Sequence, residues 1–164
     1  LATNLMKREG RVVRCGHHCH WINLRYEADP GRTPFTRGIE KGQVLPMTIS
    51  HGEGRFTRRD ESVWRELEAN RQIIWRYCDD DGTLQDDFPV NPNGSWTGVA
   101  GICNPQGNVL AMMPHPERAF FVRQIPAAWG TEWGEKRRTA SGDRALMEEG
   151  GPGRILFESL AAAR

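Results

Sequence analysis

The sequence predicts an α/β domain. Three observations carry that expectation. Runs of β-branched and aromatic residues show strand period, two stretches place apolar residues at helical spacing, and strands run straight into glycine or proline turns, where α/β folds hold their ligands. With 164 residues there is room for one domain with a hydrophobic core, since domains cluster near about 100–150 residues. Residues 1–164 are accordingly read as belonging to a single domain.

Along the chain, LATNLM opens at Leu1 without an initiator methionine and reads as the continuation of a helix or loop, so the chain is expected to be a fragment. Residues 11–26 alternate, with Val13, Cys15, His17, Cys19 and Trp21 on one side, which predicts one half-buried strand. ADPGRTPFTRG is turn and loop by its proline and glycine content, and VLPMTIS is a short apolar strand ending at His51-Gly52-Glu53-Gly54. Asp60 caps a predicted helix of about three turns over VWRELEAN. QIIWRYC follows as a strand, and 79–95 as an acidic, proline-containing loop with an Asn-Gly turn. WTGVAGIC and NVLAMM flank Asn104-Pro105-Gln106-Gly107 as a hairpin. AFFVRQIPAAWG is a helical candidate before Pro126, and the polar stretch 131–143 reads as a surface loop or insertion. GRILFESLAAAR closes the chain as a helix with Ile155, Leu156, Ser159 and Leu160 on one face.

Basic and acidic residues number 22 and 21, so no overall field recruits nucleic acid or an anionic membrane. No apolar run of about 18 residues could cross a bilayer, and the start does not form a secretory signal. A cytosolic (cytoplasmic) protein is the expectation. Cys15, Cys19, Cys78 and Cys103 are too sparse for a disulfide scaffold and are expected as free thiols.

Met113-Pro114-His115-Pro116-Glu117-Arg118 is the most informative stretch for chemistry. Each proline pushes the residue before it toward extended backbone, so His115 and Glu117, two apart, would point the same way. A carboxylate beside an imidazole fixes its tautomer and stabilises the imidazolium, which is the base-and-orienter half of a nucleophilic triad. A His and a Glu at this spacing also arise by chance in many chains. Cys15, His17, His18, Cys19 and His20 form a mixture zinc would accept. On an extended strand, however, Cys15 and Cys19 lie about 13 Å apart at ~3.3 Å per residue, and only a sharp bend at Gly16 would bring them together. Solvated strand histidines are the simpler reading. Gly52 and Gly54 either bring backbone N–H groups to a ligand or make a turn.

Taken in order, FTRGIEKGQVLPMTISHGEGRF and NPNGSWTGVAGICNPQGNVLAMMPHPERA resemble the glutaminase subunit of phosphoribosylformylglycinamidine synthase, a class I glutamine amidotransferase of purine biosynthesis. CHWINL looks like that family's Cys-x-Trp-Val strand and GRILFESL like its final helix. Only residues 79–89 and 124–151 lack clear counterparts.

The resemblance implies a class I glutamine amidotransferase-like α/β fold, flavodoxin-like and three-layered. The chain would be its carboxy-terminal part, without the amino-terminal parallel strands. It also implies a Cys-His-Glu triad that hydrolyses glutamine to glutamate and ammonia. The ammonia passes to a larger synthetase subunit, often bridged by a small third subunit. His115 and Glu117 match the family's catalytic pair, and the backbone around His51 and Gly52 matches a segment lining the glutamine pocket in related amidotransferases. The family's nucleophile sits on a Gly-x-Cys-x-Gly-like elbow; all four cysteines align outside it, and the elbow would precede Leu1. These residues alone are therefore expected to be inactive and, with a sheet edge uncovered, poorly stable. No cofactor is expected in this chain, ATP and Mg being used by the synthetase partner. The competing readings are a non-catalytic remnant that binds the synthetase, and another Cys-His-Glu hydrolase of the same fold.

Overall fold

The computed structural model describes residues 1–58 and 60–162. Among these run seven strands and four α-helices. Strands β1 (Leu5–Arg8) and β2 (Arg11–Cys15) form a separate two-stranded ribbon. Strands β3 (His18–Tyr26), β4 (Val44–His51), β5 (Ile73–Cys78), β6 (Val99–Cys103) and β7 (Leu110–Met112) make a five-stranded sheet in the order β4-β3-β5-β6-β7, each pair antiparallel.

The single strand expected over 11–26 is two. Gly16, at φ +89°, takes a left-handed conformation open to glycine at little cost, and the chain turns there from β2 into β3. Val12 and Val13 are consequently 53% and 54% exposed, because β2 pairs only with β1 and has no sheet face to cover it. LATNLM is likewise not a helix or loop continuation throughout: Leu5 begins β1, and Met6 is fully buried.

Helix α1 (Glu61–Ala69) starts where expected, with the Asp60 carboxylate accepting from Ser62 N. Helix α2 (Glu132–Thr139) replaces the predicted surface loop. Its apolar periodicity is too weak to announce it, but Glu132 and Glu135 fall in the first turn and Lys136, Arg137 and Arg138 in the last, matching the helix macrodipole at both ends. Asp143 then caps the short α3 (Arg144–Met147) through Ala145 N and Leu146 N. AFFVRQIPAAWG does not make a helix of its own; short 3-10 turns cover 116–119 and 122–124. Helix α4 (Arg154–Ala161) buries Leu156 and Ser159, whereas Leu160 stays 38% exposed. Ala163 and Arg164, assigned to this helix from sequence, lie outside the described residues.

The core falls into two clusters, and a register shift on β5 between Ile73 and Trp75 separates them there. Ile74, Trp75, Tyr77 and Ala100 share an apolar cluster with Leu24, Met47, Ile49 and Leu156 of α4. Ile73 and Val99 instead meet Trp64 of α1. A helix on each face gives the sheet three layers. Within the larger cluster Trp75 and Tyr26 are fully buried with ring centroids 5.2 Å apart, and the Tyr26 hydroxyl reaches Thr36 Oγ1 at 2.9 Å.

The sheet curls until its two edges meet. After β7, Met113 N donates to Ala100 O on β6 (2.9 Å), and two residues later His115 N donates to Thr48 O on β4 (2.8 Å). One extended run therefore joins the last strand to the far edge.

Because Trp75 fills the centre of the larger cluster, Trp75→Ala is expected to cost about 3–5 kcal/mol, measured as the change in urea unfolding midpoint.

Candidate active site

The strand-closing run sets the chemistry. Pro114 and Pro116 flank His115, which holds an extended conformation (φ −107°, ψ 91°) before a 3-10 turn over Pro116–Ala119. His115 Nδ1 lies 2.8 Å from Glu117 Oε1. Sequence reasoning had the pair side by side on continuous extended backbone. Instead Glu117 sits in the turn after Pro116, and the turn folds the carboxylate back to the ring. The His115 and Glu117 side chains are 32% and 56% exposed, and Arg118 Nε stands 3.8 Å from the same Oε1. A carboxylate can only accept, so Nδ1 donates to Glu117 and Nε2 keeps the lone pair that a base requires.

His51 is the last residue of β4, three positions beyond the Thr48 that binds His115. Asn4, fully buried just ahead of β1, holds it. Asn4 Nδ2 donates to His51 O (2.7 Å), while Asn4 Oδ1 accepts from Gly54 N (3.1 Å) and lies 3.2 Å from His51 Nδ1. The ring rests on Gly54, where an added Cβ would come within 2.3 Å of His51 Nδ1. His51 Nε2 is buried and has no hydrogen-bond partner among the described residues. Burial, with His115 and then His17 and His18 acting in the same sense, brings the ring from its ordinary 6.5 down to about 4, so it is neutral at physiological pH.

A second asparagine braces this loop. Asn93 Nδ2 donates to Gly54 O at 3.0 Å, and Asn93 O accepts from Leu5 N. Asn91 Oδ1 accepts from Gly94 N and Ser95 N, and Ser95 Oγ accepts from Phe56 N. Gly94 takes φ +73°, and a Cβ there would strike Leu5 O at 2.1 Å. The NPNGS stretch thus ties the ribbon to the turn after β4. Gly52 joins the same fastening, its carbonyl accepting Asn4 N at 2.8 Å.

The structure brings His115, Glu117 and the β4 end together. Sequence reasoning missed Asn4 and Asn93 as parts of the site: NPNGS signals only a turn, and nothing marks Asn4. Cys78 and Cys103 are free, as expected, and buried; burial pushes the Cys78 thiol up to about 12 and raises Cys103 as well. Cys15 and Cys19 are exposed and free. Although the chain does turn at Gly16, Cys15 pairs with Leu5 and Cys19 with Ser50. Among the described residues no group of three or more His, Cys, Asp and Glu could hold a metal ion.

Comparison with known proteins adds an independent line. Residues 12–147 match the CobB/CobQ-like glutamine amidotransferase domain. The phosphoribosylformylglycinamidine synthase subunit PurQ of Methanothrix thermoacetophila is 41% identical over 160 residues, 98% of this chain and 55% of that protein. Subunit PurQ of Aquifex aeolicus is 50% identical over 101 residues, 62% of this chain and 42% of that protein. A solved structure of PurLQS from Thermotoga maritima superposes with a TM-score of 0.55 at 25% identity, covering 99% of this chain and 53% of that one. The chain spans about half the length of the curated relatives it matches. No described helix is long and apolar enough to cross a membrane.

The depressed His51 value predicts a pH dependence. Between about pH 6.5 and about 4 the unfolded chain binds a proton at His51 that the folded chain refuses. Stability contributed by the neutral ring is thus full above the unfolded value and lost as pH falls through this window. Urea titrations across the window should show the fall, and His51→Gln should make it shallower, leaving the part due to His18, whose value burial also lowers.

Proposed function

Since the chain belongs to the CobB/CobQ-like glutamine amidotransferase family, we propose that it is the carboxy-terminal part of the glutaminase of phosphoribosylformylglycinamidine synthase. The observation that carries this reading is the 2.8 Å hydrogen bond between His115 and Glu117 at the strand-closing turn. The names of the relatives, subunits PurQ at 41% and 50% identity, support the choice of enzyme. They do so across about half of the whole protein.

In this reading His115 Nε2 takes the proton of a cysteine thiol, and the thiolate attacks the side-chain carbonyl carbon of glutamine. The carbon–nitrogen bond then breaks, the imidazolium returns its proton to the departing nitrogen, and ammonia leaves behind a glutamyl thioester. Water, deprotonated by the same nitrogen, hydrolyses the thioester and restores the thiol, releasing glutamate. Glu117 holds the imidazole in the required tautomer and offsets its charge while it carries the proton.

The thiol is not one of the four cysteines of this chain. Cys78 and Cys103 are buried with raised values, so neither forms thiolate readily at neutral pH. Cys19 shares a sheet face with His115 but stands two strands away, with Trp21 and Thr48 marking the intervening ladder. Two strand spacings and a two-residue offset along β3 make that about 12 Å, well beyond proton-transfer reach. Cys15 lies on the exposed ribbon. The nucleophile comes from polypeptide outside these 164 residues, and the ammonia goes to an ATP- and Mg-using synthetase partner, with a small bridging subunit. The solved PurLQS structure is the support for such an assembly. The unsuitability of all four cysteines also favours a second reading, a non-catalytic remnant that binds the synthetase.

The test is glutamate release from L-glutamine by the full-length protein with its synthetase partner. His115→Ala should lower kcat by roughly 10⁴ to 10⁶ with little change in KM, and Cys19→Ser should leave turnover intact. Loss of turnover in Cys19→Ser would overturn the cysteine assignment. Hydrolysis that the synthetase fails to stimulate would point to another hydrolase of this fold, and no hydrolysis at all to the remnant.

A further inference from the structure

On β3, Ile22 and Leu24 enter the larger apolar cluster, so Asn23 between them faces the other way. It stands between Pro46 of β4 and Cys78 of β5 and is 4% exposed. A cavity of about 360 Å³ opens over it, walled by Val44, Pro46 and Trp133 and by the carboxylates of Asp80, Asp81 and Glu132. A second cavity, of about 230 Å³, shares Asn23 and Asp80 and continues past Trp21 and Trp129, with Asp79 in its wall. Together they make an elongated cleft along the sheet.

The charge in this cleft is uncompensated. Among the described residues lining the larger cavity there is no Lys, Arg or His, and among the described residues no ion pair reaches Asp80, Asp81 or Glu132. The N-terminus of α2, with Thr131 as its N-cap, borders the same space, but a helix end brings only about half a positive charge. Three carboxylates exceed what that end requires.

The floor has acceptors and lacks donors. Asn23 Nδ2 donates to Asp80 Oδ1 at 2.7 Å, which fixes that carboxylate. Asn23 Oδ1 and Thr131 Oγ1 are buried without a hydrogen-bond partner among the described residues, although buried polar groups are ordinarily satisfied. The cleft is open to solvent at its acids: Asp80, Asp81, Gly130 and Glu132 are all exposed. Gly130 has no side chain to cover Asp80 Oδ2, from which an added Cβ would stand 3.4 Å away. A ligand therefore arrives at the carboxylates, and Asn23 acts from behind by holding Asp80.

We propose that this cleft binds a linear aliphatic polyamine. A single metal ion is a poor occupant, because among the described residues no three His, Cys, Asp or Glu side chains could hold one. The acids are spread along the cleft, and a polyamine carries its charges spread along a hydrocarbon chain. Its ammonium groups donate and do not accept, which answers the carboxylates and the donor-poor floor. Its methylenes lie against Val44, Pro46 and the indoles, and an indole face attracts a cation. Trp133 already receives one, with Lys136 Nζ 5.7 Å from the ring centroid.

Spermidine titrated calorimetrically into the full-length protein tests the inference, with tryptophan emission followed in parallel because Trp129 and Trp133 flank the cleft. One molecule should bind and change the emission, and Asp81→Asn combined with Glu132→Gln should weaken binding by about tenfold. Should the double variant fail to fold, Asp81→Asn alone decides, with a loss of about threefold expected. An affinity unchanged in the variant overturns the inference, as does the lack of saturable binding. Displacement of spermidine by an equal concentration of magnesium chloride would identify a metal site instead, and ammonium chloride binding as tightly as spermidine would remove the hydrocarbon chain from the argument; either result overturns it. Glutamine hydrolysis enters none of these measurements, so the inference and the glutaminase reading stand or fall separately.

Discussion

The hydrogen bond from His115 N to Thr48 O is the constraint on which the site depends. In Pro114-His115-Pro116 the two prolines have no N–H, so His115 holds the only backbone donor of the tripeptide, and that donor closes the curled sheet. Without it, the residues after β7 would be the loose end of an edge hairpin. With it, the imidazole is fixed to the same strand that carries His51, and the turn that follows returns Glu117 to the ring.

Beneath this closure lies a layer of buried amides. Asn4, Asn91 and Asn93 are each no more than 2% exposed, and they fasten the ribbon, the turn after β4 and the 91–95 loop to one another. Buried amides are costly when unpaired and directional when paired. They therefore specify where the His51 ring sits more narrowly than apolar packing would. The apolar core supplies most of the cohesion, and the amides supply the aim.

Much of this was legible in the sequence. β4, β5, the β6–β7 hairpin and α1 announced themselves by period and by turn or cap residues, and the proline spacing singled out His115 and Glu117. The fold is the class I glutamine amidotransferase-like α/β fold that the ordered motifs implied. Three features were hidden for physical reasons. The break at Gly16 is invisible to alternation, because period two runs through it undisturbed. Helix α2 carries charge order rather than an apolar stripe. The clamp on His51 joins residues 47 positions apart, and no local pattern encodes a contact made by the path of the whole sheet.

The clamp also has a bearing on how strain reaches the site. Asn4 stands three residues from Leu1, and Ala2 bonds to Arg55 on the far side of the same turn. Strain carried along residues 1–4 therefore arrives a few bonds from the group that decides which imidazole nitrogen bears hydrogen. A pull on this stretch would turn the His51 ring while leaving the apolar interior, and hence any bulk melting curve, almost untouched.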